Sequence, residues 1–517
     1  MFKFKPHSLF SFIVITVFIC NLMGCGFKLN EPSGGGSTKD EDGGSTKDEV
    51  GDMMTDKELF DAMEQIIVNE NAVEVVALMV SCDFGDENCW EVYNPGEEVL
   101  NDEGFDAVGF HGAVSGPSGE IYLVPNHFND DGGDKVFHTH VVRFDPSRGF
   151  SDQSAWKIHN AQQDDSNRGY AGAVRAGRYI YFAPNKYDNR LRNQMFLRYD
   201  TAGRFKDPAS WTSYENITVY ENNGSEIIAA NFTGAIIKDN FIYFIPGHRA
   251  GVGDNYAAQG GLMNKTVFMR YAIPENPDDF TDPDQWTAFN VGRVGLVGCV
   301  DGDGNVLGED LRHSLCERTR HHNYSIRTQS HGTVLGPYIY FAANDSNSLL
   351  RYDTRLEFAA NGSWDFFNAS IVTENAGFFS AASDGRYIYY RHGAAASLLR
   401  FDTQGGIDVN GSVFANEDNW IVIDPSVFGE VGSLPAVIRV IEDYLYIPAG
   451  SRSNEMARFN TTMDPDEEEA WEYFTAPQAG FSDVIFSPVS RSVIFVPWVD
   501  HNGAHGNVLR YRIDVEE

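Results

Sequence analysis

Histidines and cationic side chains in this chain gather where its internal repeat is broken. His111 and His331 stand at equivalent places in FHGAV and SHGTV, where the two intervening copies carry Ala171 and Thr233. His127, His138 and His140 fall in a long connection, 126–140. Lys186, Tyr187, Arg190 and Arg192 fall in another, 185–195, and His248, Arg249 and Tyr256 in a third, 247–266. A longer interruption, 291–328, ends in Arg312, Arg318, Arg320 and Arg327. Imidazoles are matched to proton transfer near neutrality, and guanidinium groups bind carboxylates and sulfates through two parallel hydrogen bonds. The same interruption holds Cys299, His313, Cys316, His321 and His322. Cys299, His313, Cys316 and His322 supply a tetrahedral zinc donor set, while Cys299 and Cys316 would equally form a disulfide. A calcium loop at Asp301, Asp303 and Asn305 is set aside, because its sixth position is Val306 rather than Gly. No nucleophile elbow, zinc-protease helix or phosphate-binding loop is present.

The elements that position these groups follow from a repeat. Phe-x-Asp-x-x-x-Trp occurs at Phe84/Asp86/Trp90, Phe150/Asp152/Trp156, Phe205/Asp207/Trp211 and Phe280/Asp282/Trp286, with looser copies ending in Trp364, Trp420 and Trp471. Each later copy closes a unit with an apolar strand such as IYLVP (121) or IYFAP (180), then an Arg-aromatic-Asp strand. The last unit has VIFVP and VLRYR but no closing Trp, and the missing piece lies at 84–93. A unit split between the chain ends predicts an all-β, seven-bladed propeller whose ring is closed by an N-terminal strand. Arg143, Arg198, Arg270, Arg351, Arg400, Arg458 and Arg510 recur once per unit, so they are assigned to blade packing rather than chemistry. Trp498 stands outside the repeat. In this scheme the start of each first strand, the connections after each second strand and the interruption at 291–328 share one face.

The N-terminus reads as an export signal. Lys3 and Lys5 precede an apolar run from Leu9 to Met23, and Leu22-Met23-Gly24-Cys25 resembles the bacterial lipobox, which implies a signal peptide over 1–25 with Cys25 as the lipid-bearing residue; an ordinary signal peptide or short membrane anchor is the alternative. Residues 26–54, with GGSTKDE twice, cannot bury a core and predict a flexible tether. Thr55 and Glu58 ahead of Leu59, Phe60, Met63, Ile66 and Ile67 predict a small helical element over 55–81, followed by the propeller over 82–517. Export favours a Cys82–Cys89 disulfide pinning the closing strand. The chain has 39 Lys plus Arg against 74 Asp plus Glu, a net charge of −35, which argues against nucleic acid as partner but leaves room for a local basic face. The protein is expected at the cell surface or outer membrane as a monomer, touching the membrane only through its lipid.

On blade number, length, export, the His/Tyr/Arg face and the inserted Cys/His site, the chain resembles the secreted seven-bladed-propeller polysaccharide lyases, of which ulvan lyases are the best-defined examples. The resemblance implies β-elimination in an acidic, uronate-containing polysaccharide, sulfated in the ulvan case, with a structural zinc. It makes His111 and His127 base candidates, Tyr187 a base or acid, and Arg249 the carboxylate neutraliser. Lys186, Arg190, Arg192, His248 and Arg320 would hold neighbouring sugars, and His331 would join the centre or line the channel. Fold alone does not give function. A non-catalytic surface propeller that binds glycan or protein is the competing reading.

Overall fold

The computed structural model describes residues 79–98, 107–129, 135–161, 169–185, 195–215, 217–220, 226–229, 232–247, 267–274, 280–291, 329–343, 347–374, 377–393, 397–409, 411–424, 436–500 and 503–516. Seven four-stranded antiparallel sheets are formed among them. Blade one runs Phe110–Ser115, Ile121–Pro125, His140–Phe144 and Trp156–Asn160 from inside to outside. Blades two to six repeat that order and begin at Gly169, Phe232, Gln329, Phe378 and Arg439. Blade seven takes Phe481–Ser487, Ser492–Pro497 and Val508–Arg512 from the C-terminus, and its outermost strand, Trp90–Tyr93, from the N-terminus. Trp90 pairs with Tyr511 and Tyr93 with Val508, so the ring closes as the split repeat predicts.

The Phe-x-Asp-x-x-x-Trp motif is a turn with a lock. The Asp caps a short 3-10 turn by accepting the backbone N–H two residues on, at Asp86, Asp152, Asp207 and Asp282. The indole Nε1–H then donates to the carbonyl six residues back, at 2.8 Å for Trp90, Trp156, Trp211 and Trp286. The looser copies keep the lock, at 2.9 Å for Trp364, 3.0 Å for Trp420 and 2.9 Å for Trp471, although the last bonds to Pro465 rather than a Phe. Buried indoles need such a partner, which explains why the spacing outlives the Phe and the Asp.

The repeated arginines bind blades together. Arg270 lies over Phe241 of its own blade and Phe358 of the next, Arg351 over Tyr338 and Phe414, and Arg458 over Tyr444 and Phe84. Each charge caps aromatic faces at a blade junction, a packing role. The second strands are buried on both sides because each sheet is covered by its neighbours, hence their unbroken apolar runs.

Cys82 and Cys89 form the expected disulfide. Residues 79–81 correct the predicted helical element: Met79–Ser81 is a strand pairing antiparallel with Asp514–Glu516. The backbone groups of the C-terminal edge take a partner there, and the helical spacing, which runs from Leu59 to Ile67, does not reach these three residues. The remainder of that element, the tether and Cys25 lie outside the described residues.

Candidate functional site

The innermost strands carry a register shift at one common level. It falls at His111–Gly112 in blade one, Ala171–Gly172 in blade two and Thr233 in blade three. The same shift falls at Ser330–His331 in blade four, Phe379 in blade five and Ser482 in blade seven. A bulge adds an unpaired residue and re-aims its side chain, so these positions converge on the propeller axis whatever their residue type.

Two kinds of packing hold the ring at this level. From blade one to blade three it is close backbone approach. A Cβ on Gly112 would sit 3.5 Å from the Gly172 Cα, and one on Gly172 would sit 3.4 Å from the Gly234 Cα. Gly112 and Gly172 also have φ of +95° and +107°, where side chains are strained. Elsewhere side chains bridge the strands. Ser380 Oγ accepts from the Ile438 N–H (3.1 Å), and Ser482 Oγ from the Gly112 N–H (3.1 Å). Asp483, 2% exposed, accepts Arg439 Nε (2.9 Å) and Nη2 (2.8 Å), Val484 N–H (2.8 Å) and Ala113 N–H (3.3 Å). One carboxylate therefore ties blades six, seven and one together.

On this frame His111 and His331, both half-buried, face each other with ring centroids 5.7 Å apart and planes 22° from parallel. Trp498 stands edge-on to His111 at 5.3 Å and to His127 at 6.1 Å. Among the described residues, neither His111 Nδ1 nor Trp498 Nε1 has a hydrogen-bond partner. Burial drives the His331 pKa down to about 3, helped by His111 and Arg439 and opposed by Asp483 and a backbone hydrogen bond at Phe379. Burial likewise lowers that of His111, against the pull of Asp483. Both rings are therefore neutral near pH 7, each with a lone pair to accept a proton.

Three of the five predicted catalytic residues are thus linked in a chain of ring contacts, His331 to His111, then through Trp498 to His127. His127 is not on an open loop as its sequence context implies. It begins a two-stranded hairpin, His127–Asn129 with Lys135–Phe137, and is only 6% exposed, its Nδ1 bonded to the Asn126 side chain. His138 is buried too, its Nε2 3.2 Å from the Gly109 carbonyl oxygen, and burial takes its pKa down to about 3. Tyr187, Arg249, Lys186, Arg190, Arg192, His248 and Arg320 lie outside the described residues, as do Cys299, His313, Cys316 and His322. Among the described residues no cluster of three or more His, Cys, Asp or Glu is arranged to hold a metal.

Sequence reading missed Asp483 and Arg439. The signal was there: Asp483 occupies in FSDVI the place of the glycines in FHGAV, YAGAV and FTGAI. It also missed Arg391, a 3%-exposed cation in blade five where the sister strands carry Val124, Ala183, Ile245, Ala342 and Val496. Arg391 Nη1 donates to the Pro448 carbonyl (3.1 Å), and burial lowers its pKa to about 10.

No family model matches the chain. No curated protein matches it either. Among solved structures it is similar to YCF48 bound to D1 peptide, at 10% identity and a TM-score of 0.45, over 84% of this chain and 99% of that one. It is similar to the β-propeller domain of Myceliophteria thermophila Cps50 (Swd1), at 7% identity and a TM-score of 0.40, over 79% of this chain and 96% of that one. It is also similar to a luciferin-regenerating enzyme, at 10% identity and a TM-score of 0.35, over 66% and 91%. Likenesses at these identities say nothing about activity.

Proposed function

We propose that the axial face binds an acidic, uronate-containing polysaccharide and cleaves it by β-elimination, so that the protein is a polysaccharide lyase. The observation that carries this reading is the pair of neutral imidazoles, His111 and His331, facing one another beside Trp498. A neutral imidazole can accept a proton at physiological pH, although the burial that keeps His111 and His331 neutral also weakens them as bases. In the proposed reaction it takes the C5 proton, the C5–H electrons form the C4–C5 double bond, and the C4–O bond breaks with its electrons leaving on oxygen. A second group, His127, Tyr187 or the partner imidazole, protonates that oxygen. Arg249 would neutralise the uronate carboxylate, which acidifies C5, and Lys186, Arg190, Arg192, His248 and Arg320 would hold flanking sugars and sulfates.

The test is the ultraviolet absorbance of unsaturated uronate ends across a panel of acidic polysaccharides, sulfated ulvan-like chains included. His331→Gln and His111→Gln should each lower turnover by about two orders of magnitude or more if either ring carries the proton. Full activity in both variants would move the chemistry elsewhere.

A second reading, binding without cleavage, is favoured by one observation. Arg439, the guanidinium at the axial site among the described residues, is already held by both oxygens of Asp483. Salt-sensitive binding to a polysaccharide that yields no unsaturated ends would establish it. To the same proposal belong a structural zinc on Cys299, His313, Cys316 and His322, whose thiolate and imidazole donors suit that ion. It also includes export with a lipid on Cys25, action as a monomer, and no nucleic-acid partner.

A further inference from the structure

We infer that Asp483 is a positioning residue of the axial site, holding His111 opposite His331 and supplying the negative charge that both imidazoles face, with Arg439 as its counter-charge. The inference deepens the reading of the axial site given above and rests on it, but its test needs no substrate. Four geometric facts carry it. Asp483 replaces a glycine of the repeat at the bulge level, so its carboxylate enters a position that blades one to four leave as backbone. It is buried, and its oxygens accept four N–H groups from blades six, seven and one. One of those donors is Ala113, and the neighbouring Ser482 accepts from Gly112, so the two residues after His111 are both fixed by blade seven. Arg439 is 43% exposed on its side chain while Asp483 is 3% exposed, so the pair shows its cation to solvent and keeps its anion inside.

A structural ion pair alone would steady the seam between blades and leave the imidazoles indifferent to which partner is removed. The geometry points to more, because the two charges act on the imidazoles with opposite sign. Asp483 favours protonation of both rings and Arg439 disfavours it at His331. Among the described residues the charged and titratable groups acting on His331 are His111, Asp483 and Arg439, and those facing His111 are Asp483 and His331. A ligand carboxylate that drew Arg439 off Asp483 would strengthen the inner anion and make the same imidazoles more basic when substrate is present.

The experiment is a titration of the full chain labelled with carbon-13 at histidine Cε1, with His111 and His331 assigned from His→Gln variants. Asp483→Asn should move both midpoints to lower pH. Arg439→Gln should move His331 to higher pH, toward the ordinary imidazole range. Asp402→Asn, which breaks the exposed Arg386–Asp402 pair of blade five, is the control and should move neither. Displacement of His331 in the same direction by both axial variants, or none beyond the control, overturns the inference. If Asp483→Asn does not fold, Arg439→Gln decides alone, and an unmoved His331 refutes. A polysaccharide panel that stays uncleaved sinks the lyase reading while leaving this result intact.

Discussion

Removing the Cys82–Cys89 disulfide should open one seam of the ring and no other. The bond sits in the turn between two strands, Met79–Ser81 and Trp90–Tyr93, that both pair with the C-terminal segment 508–516. Its cysteines are 7 positions apart. Chain-entropy bookkeeping for a loop of that size gives about 2.4 kcal/mol at room temperature, small because the loop is short. The closing strand keeps other anchors, including the Trp90 Nε1 bond to the Phe84 carbonyl at 2.8 Å and the Trp90–Phe474 stack at 4.0 Å. The expected effect of a Cys82→Ser/Cys89→Ser double variant is therefore a folded protein whose blade-seven edge opens more often. If the edge opens as a local unit, amide exchange at 90–93 and 508–511 should quicken by about fiftyfold, the factor that about 2.4 kcal/mol implies. Exchange in Val267–Ala272 of blade three should not change. Hydrogen-exchange mass spectrometry reads both. Equal acceleration across blades would mean that the ring opens only with global unfolding, and no acceleration at 508–511 would mean that the disulfide does not guard the seam.

Trp211→Phe keeps an aromatic ring but removes the Nε1–H that satisfies the buried Phe205 carbonyl. It should cost about 1–3 kcal/mol in chemical denaturation, against about 1 kcal/mol for Asp207→Ala, which loses only the turn cap. Acid should destabilise the fold in a defined window. The His138 pKa is lowered to about 3 by burial, so below the ordinary imidazole value of about 6.5 the unfolded chain takes up a proton the fold refuses. That contribution is complete above pH 6.5 or so and declines down to about pH 3, by up to about 1.4 kcal/mol per pH unit. His138→Gln should make the stability profile shallower. Metal analysis of purified protein should find about one zinc per chain, and no metal together with no free thiol would assign Cys299 and Cys316 to a disulfide instead. Arg400→Ala should lower thermal stability before it changes any activity, since its guanidinium packs on Tyr387 in the repeat.

The parts of the molecule that could be read from sequence are those whose physical cause is local. Phe84, Asp86 and Trp90 span one turn, so cap, lock and spacing lie within seven letters, and a displaced copy betrays the closing strand before any contact is known. The same holds for the disulfide, whose two cysteines flank that turn. The axial site is different, because its contacts cross from blade to blade. His111 meets His331 across a ring, and Arg439 meets Asp483 from the neighbouring sheet, so no window of consecutive residues contains either pair. Only comparison between blades reveals them, and that comparison finds His111 and His331 as departures from Ala171 and Thr233. Carried one letter further, to the glycine column, it also finds Asp483. Packing explains why this column is informative: beside the bulge the backbones of neighbouring inner strands approach so closely that the fold imposes smallness there. Where other blades meet that demand with Gly112, Gly172 and Gly234, a carboxylate at Asp483 breaks it and is compensated by four hydrogen bonds, two of them from the Arg439 cation. A local rule broken at such expense, beside two imidazoles that face each other, is the pattern expected where a site rather than packing sets the residue.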